Sequence, residues 1–218
     1  MKKRFIQIGD YATADAGFTL CKWSLSPAVY RAVRETVPGM DGAADCSALL
    51  TGDVQYDVRT LTAVLELSEK TRDYRLGTIA HLINRFDGRT EQIILPDTPH
   101  LYLRGRIHVE QQYCDTAHAA VKLTAVCEPW QYARQETAYV LTNTAAVQSA
   151  AIRNQGRKAV CPVFTAAAPC AVICGNVTHG ISAAGSCQFD DIVFRHGSTV
   201  ISHSGSGTLR ITFREGWL

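Results

Sequence analysis

In the closing stretch Ser206-Gly-Thr-Leu-Arg-Ile-Thr-Phe-Arg-Glu-Gly-Trp-Leu218, Leu209, Ile211 and Phe213 alternate with Arg210, Thr212 and Arg214. Period-two alternation with one apolar and one wet face is the pattern of a half-buried antiparallel strand. Such a strand needs paired neighbours on its edges and a core under one face, so the C-terminus is expected to be fixed in a sheet. Upstream, Val160-Cys-Pro-Val-Phe-Thr165, Cys170-Ala-Val-Ile-Cys174, Phe189-Asp-Asp-Ile-Val-Phe194 and Thr199-Val-Ile-Ser202 are short β-prone runs separated by Gly-, Ser- and Asn-containing segments. That rhythm predicts a small β-sandwich with no helix. Gly205-Ser206-Gly207 reads as a turn.

The first half mixes strands with one helix. Strands are expected over Arg4–Ile8, Phe18–Leu25, Val54–Leu67, Gln92–Leu95, Leu101–Glu110 and Ala119–Glu128, with Pro129 ending the last. From Lys70 to Phe86 the period lengthens: Leu76, Ile79, Ala80, Ile83 and Phe86 recur at helical spacing, Arg72, Arg75, Thr78 and Asn84 fall between them, and Asp87-Gly88 supplies the stop. Pro38-Gly-Met-Asp-Gly42 is the strongest turn signal. The polar, Ala/Thr-rich stretch between Trp130 and Arg153 reads as the junction of two domains, 1–135 and 136–218. The fold class is therefore mainly β with one α-helix.

Composition narrows the function classes. With 218 residues the chain can bury one large or two small cores. Twenty-two basic against twenty acidic residues give a net charge of +2, and the basic residues are scattered, so no nucleic-acid-binding stripe is present. No stretch approaches the roughly 18–20 apolar residues that cross a bilayer, and the Lys-Lys-Arg start is not followed by a signal-peptide apolar run. The eight cysteines are therefore expected as reduced thiols rather than as four disulfides.

No constellation of catalytic or ligating residues stands out. Cys170-x3-Cys174 with Cys161, His179 and Cys187 has zinc's preferred ligand types but not the paired spacing of a structural site, so no metal or cofactor is expected. Cys114 with His108 or His118 is the nearest thing to a nucleophile and base. Asp190 and Asp191 are adjacent and would face opposite ways on a strand, unlike the carboxylate pair of a glycosidase. Carbohydrate binding would need exposed aromatic platforms, for which Tyr139, Phe189, Phe194 and Trp217 are the second-half candidates; Trp23 and Trp130 read as core or interface anchors.

Two sets of segments together resemble the phage distal tail protein family. In the second half these are Asn154-Gln-Gly-Arg-Lys-Ala-Val-Cys-Pro-Val-Phe164, Phe189-Asp-Asp-Ile-Val-Phe-Arg-His-Gly197 and the Gly205–Leu218 ending. In the first they are Val37-Pro-Gly-Met-Asp-Gly42, Leu49-Leu-Thr-Gly-Asp-Val54, Tyr56-Asp-Val-Arg-Thr-Leu61, Phe86-Asp-Gly-Arg89 and Leu101-Tyr-Leu-Arg-Gly-Arg-Ile107. The resemblance covers nearly the whole chain, which is short for the family and lacks an inserted carbohydrate-binding module.

The resemblance implies a non-enzymatic virion protein of a long-tailed phage or prophage, assembled in the bacterial host cytoplasm. It implies a hexameric ring, the hub of the baseplate, joining the tail tube to the tail tip and adhesion apparatus. The N-terminal domain would form the ring, and a galectin-like C-terminal β-sandwich would project from it. Partners would be five further copies, the tail-tube protein and a tail-tip protein. The alternatives are a tail-tube or other tail-structural protein, or a carbohydrate-binding module. A cyclic assembly needs a head-to-tail interface, expected at Tyr30, Val37, Pro38, Gly39, Gly42, Asp53, Tyr56 and Arg59.

Overall fold

The computed structural model describes residues 4–49, 52–68, 71–144 and 147–218. Expectations that touch Leu50, Thr51 and Lys70 fall outside them. The chain divides into two compact units, Met1–Gln131 and Tyr132–Leu218.

The first unit holds β1 (Gln7–Ile8), β2 (Tyr11–Ala12), β3 (Thr19–Leu25), β4 (Arg34–Glu35), β5 (Ala44–Asp45), β6 (Arg59–Leu67), α1 (Arg72–Phe86), β7 (Thr90–Ile94), β8 (Leu101–Cys114) and most of β9 (Ala119–Ala133). Its main sheet follows the path β2-β1-β7-β8-β9-β6-β3. Alternation decides which side chains go in: Leu61, Ala63, Leu65 and Leu67 of β6 and Val121, Leu123, Ala125 and Cys127 of β9 are buried in one core. Gly105 of β8 is required by close approach, because a Cβ there would lie 2.6 Å from Cys127 Sγ.

The expected strand at Arg4–Ile8 is only Gln7–Ile8, and the expected Val54–Leu67 strand begins at Arg59. Pro129 does not end β9. The last β6–β9 pair is Arg59↔Cys127, so β6 asks for no N–H at Pro129 and the strand runs on to Ala133.

Thr71 caps α1 by accepting from Tyr74 N–H, and Asp87 closes it. Its buried face is Arg75, Ile79, Leu82 and Phe86. The expected stripe is thus rotated: Ala80 is exposed, and Arg75, expected among the outward polar residues, is buried. Its guanidinium Nη2 donates to the Asp115 and Thr116 carbonyls, 2.9 Å each, in the β8–β9 turn, which is why an arginine can occupy a core position.

The second unit contains β10 (Thr137–Thr144), β11 (Gln148–Asn154), β12 (Val163–Ala166), β13 (Cys170–Cys174), β14 (Val177–Ile181), β15 (Gly185–Gln188), β16 (Gly197–Phe213) and β17 (Gly216–Trp217). The Ala/Thr-rich stretch read as a junction is β10 and β11, both paired to β16. Phe189–Phe194 is not a strand: Ile192 N–H returns to Phe189 C=O in a turn, and Phe194 forms an isolated bridge to Val160.

Gly205-Ser206-Gly207 is no terminal turn either, since β16 passes straight through it. Residues 197–205 pair with β11 and β13, and 206–213 pair with β10 and β12, so one strand serves two sheets. Gly205 at φ +118° and Gly207 at φ +102° allow this change of sheet. A Cβ on Gly205 would also sit 3.0 Å from Cys170 Cα. The core beneath includes Leu141, Ile152, Phe164, Val172, Ile192, Phe194, Ile201, Leu209, Ile211 and Phe213.

Candidate functional site

Between β3 and β6 the chain leaves the main sheet, and residues 26–49 and 52–58 fold into an antiparallel arm. Ser26 clamps its base: its N–H donates to Thr60 C=O, its hydroxyl accepts from Thr60 N–H at 2.8 Å, and its carbonyl accepts from Arg59 Nε at 2.8 Å. In the stem Tyr30 bridges Tyr56, Arg31 N–H donates to Gln55 C=O, Asp57 N–H donates to Val29 C=O, and Arg31 pairs with Asp57. Tyr56 also meets the Trp130 ring edge-on at 5.3 Å.

Farther out β4 pairs with β5 in a two-stranded sheet of its own. Cys46 N–H donates to Val33 C=O, Val33 N–H donates to the Ser47 hydroxyl, and the Ser47 bond with Asp45 holds that carboxyl below its usual range. At the tip Met40 N–H donates to Val37 C=O with Gly39 at φ +83°, a reverse turn with Pro38 and Gly39 in its two central positions.

The arm is apolar where it is bare. Val29, Tyr30, Val33, Val37, Met40, Leu49 and Val58 supply seven of the fourteen large exposed apolar side chains among the described residues. Exposed apolar side chains gathered in one segment make the arm a candidate contact surface. All eight residues expected at an interface belong to this arm or its base. Arg59 differs from the rest in being buried, and its part is to tie the base to Ser26.

A second feature escaped the sequence reading. Tyr11, Asp15 and Ala16 on one side and Tyr74, Gly77, Thr78 and His81 of α1 on the other enclose an open hollow of about 440 Å3. Tyr11 is held against Phe86 at 5.4 Å, with the Arg85 guanidinium 5.1 Å over its ring and Arg85 in turn paired to Asp10. Burial of the Tyr11 phenol raises its pKa. Gly77 is among its lining residues, and a Cβ there would meet nothing within 4 Å. A helical glycine without an internal packing reason was the available signal.

The residues weighed for chemistry are not assembled. Among the described residues no group of three or more His, Cys, Asp or Glu side chains is placed to hold a metal ion, and all eight cysteines are free thiols. Burial pushes Cys170, Cys174 and Cys187 upward and Cys127 to about 11, which favours the thiol over the nucleophilic thiolate. His108 Nδ1 lies 2.8 Å from Asp87, and Cys114 is six strand residues away, about 20 Å at β spacing. His118 donates its backbone N–H to Asp115.

Asp191 accepts from His179 Nε2 at 2.8 Å, and the His179 ring stacks on Phe189 at 4.1 Å. Of the aromatic platforms, Phe194 is buried, Tyr139 stacks on Phe213, and Phe189 and Trp217 are half-buried. No helix among the described residues is long and apolar enough to cross a membrane.

The segments that carry the family resemblance in the second half form one backbone clasp. Asn154 Nδ2 donates to the Lys158 and Phe194 carbonyls, Asn154 Oδ1 accepts from Gly156 N–H, and Gln155 N–H donates to Glu215 Oε1. Gly156 lies so close to Gly216 that a Cβ would approach its N and O to 2.7 Å.

A mainly β chain of two units, with one α-helix among the described residues and an exposed arm, has the fold of a phage distal tail protein. In particular, it superposes on the crystal structure of the SPP1 Dit protein, gp 19.1, presented there as a paradigm of the hub adsorption apparatus in phages infecting Gram-positive bacteria. The TM-score is 0.70 at 17% sequence identity, over 98% of this chain and 99% of that one. No family model matches the sequence, and no curated protein matches it in sequence.

Proposed function

We propose that the chain is a distal tail protein: a structural, non-catalytic virion component that closes into a ring of six and joins the tail tube to the tip and adhesion apparatus. The observation that carries this reading is the correspondence with a tail hub protein from one end of the chain to the other. The exposed apolar arm supports it, because a ring is built from a head-to-tail contact and needs an unpaired surface to begin from. In this reading the first unit forms the ring through Tyr30, Val37, Pro38, Gly39, Gly42, Asp53 and Tyr56, and the second, galectin-like unit projects from it.

Light scattering and negative-stain imaging of the purified protein test the proposal. The expected result is a particle of six chains with a central hole. A monomer up to tens of micromolar, on the order of weak-interface dissociation constants, overturns self-assembly. Stacked tubes would point instead to a tube protein, and glycan capture by a monomer to a carbohydrate-binding module.

A further inference from the structure

Arg59 opens β6 in step with the buried positions of that strand, and only 7% of the residue is left exposed at the root of the arm. Its Nε donates to the Ser26 carbonyl at 2.8 Å, but Nη1, at the far end of the guanidinium, is buried without a hydrogen-bond partner. Among the described residues no carboxylate pairs with it. Cys127, opposite Arg59 on β9, is a neutral thiol whose pKa is pushed up to about 11. Of the carboxylates nearest along the two strands, Asp57 pairs with Arg31 and Glu128 with Arg104.

An arginine placed this way works against folding. Burial disfavours its charged form, yet a guanidinium keeps its proton at any pH at which the protein is folded, so the cost stays in the fold. One hydrogen bond to a carbonyl offsets only part of the cost of a buried charge without a counter-charge. The residue therefore answers to something other than the stability of the unit.

The bare end also defines the chemistry it can take. The parallel N–H groups at the end of a guanidinium match the two oxygens of a carboxylate. One positive charge with a neutral thiol opposite it balances one negative charge, whereas a sulfate or phosphate dianion would bring a second.

We propose that the buried end of Arg59 is a binding site for a carboxylate, entered at the root of the arm. The site is independent of the ring reading, because a single chain contains all of it. The group can come from a small carboxylate in solution or from an acidic side chain of a partner protein, and both present the same pair of oxygens.

Thermal unfolding of the full chain at constant ionic strength, with sodium acetate replacing sodium chloride up to about 0.1 M, tests the site. The quantity to read is the part of the shift that Arg59→Gln lacks, which removes the general effect of acetate on protein stability. Glutamine keeps an amide donor for the Ser26 carbonyl and drops the charge; Arg59→Lys, which keeps the charge without the fork and should retain less than half of the shift, serves the comparison if Arg59→Gln does not fold. Acetate should raise the melting temperature of the parent by about 2–5 °C more than that of Arg59→Gln, because a ligand bound only by the folded state stabilises it. Aspartate blocked as its N-acetyl amide, run beside acetate, separates the sources. A shift with both assigns a slot that admits a protein side chain, and a shift with acetate alone assigns a slot for a small free anion. Equal shifts in the parent and the variants, or no shift at all, would overturn the site. An Arg59-dependent shift as large with sodium sulfate would overturn its assignment to a carboxylate.

Discussion

Arg75 places a guanidinium in the first unit's interior and donates to two turn carbonyls that have no strand partner there. Arg75→Met keeps the bulk and removes both charge-assisted hydrogen bonds to this turn, so urea unfolding of the protein should show the first unit weakened by about 1.5–3 kcal/mol. Asp115 and Asp87 act at the same scale. Asp115 is held below its usual range by the N–H groups of His118 and Ala117, and Asp87 by the N–H of Val109 and then by His108. A carboxylate depressed in the fold adds stability above its unfolded pKa, about 3.9, and loses it as pH falls through the folded value. Melting temperature followed below about pH 4 should therefore fall less steeply in Asp115→Asn, whose starting stability is lower. His203 is the basic counterpart in the second unit. Burial depresses it, so the unfolded chain takes up the proton first and stability declines as pH drops through about 6.5. His203→Gln should flatten that decline, read as the pH dependence of the second unit's unfolding.

At the scale of elements, the second unit depends on two places where backbone meets backbone. One is the Asn154–Gly156 clasp on Glu215–Gly216, where neighbouring backbone cannot yield to a side chain. Gly156→Ala should cost about 2–4 kcal/mol, and Asn154→Ala, which takes the side-chain partner from the buried Gly156 N–H and the part-buried Lys158 C=O while Phe194 C=O keeps Val160 N–H, about 1–3 kcal/mol. Because both break the same clasp, the double variant should lose less than the sum, which a double-mutant cycle in urea would measure. The other place is the bend in β16. Gly205→Val would bring a branched side chain to a positive φ against Cys170, so it should unfold the second unit at lower denaturant while leaving the first unit's transition in place.

Across the whole molecule, each unit has its own core, and unfolding is expected in two steps rather than one. The place of division can be tested finely. Arg214 Nη1 donates to the Ala133 and Arg134 carbonyls at 2.6 and 2.9 Å, its Nη2 pairs with Glu136 at 2.9 Å, and Ala133 N–H donates to Glu215 C=O. Residues 132–135 therefore belong structurally to the second unit. A fragment 132–218 should be more stable than a fragment 136–218, the boundary expected from composition, by several degrees in melting temperature. Equal melting would show that the Arg214 corner adds nothing.

Periodicity and turn chemistry were enough to read the class of fold, the α1 span and the inward faces of β6 and β9, because burying one face of a strand or helix is a local demand written into every second or fourth residue. The tip turn at Pro38–Gly39 was legible for the same reason, since its backbone angles are a property of those residues alone. Tertiary structure alone decided the rest. Whether Gly205-Ser206-Gly207 ends a strand or bends one depends on which sheets lie on either side. Whether Ala- and Thr-rich residues 137–154 are linker or strand depends on β16 offering them a partner. Arg75 could turn inward only because two carbonyls forty residues away in sequence wait for it, and the hollow at Gly77 exists only because Tyr11 and Ala16 are brought beside the helix. These are long-range pairings, and a single sequence records the demand for a partner without recording which partner meets it.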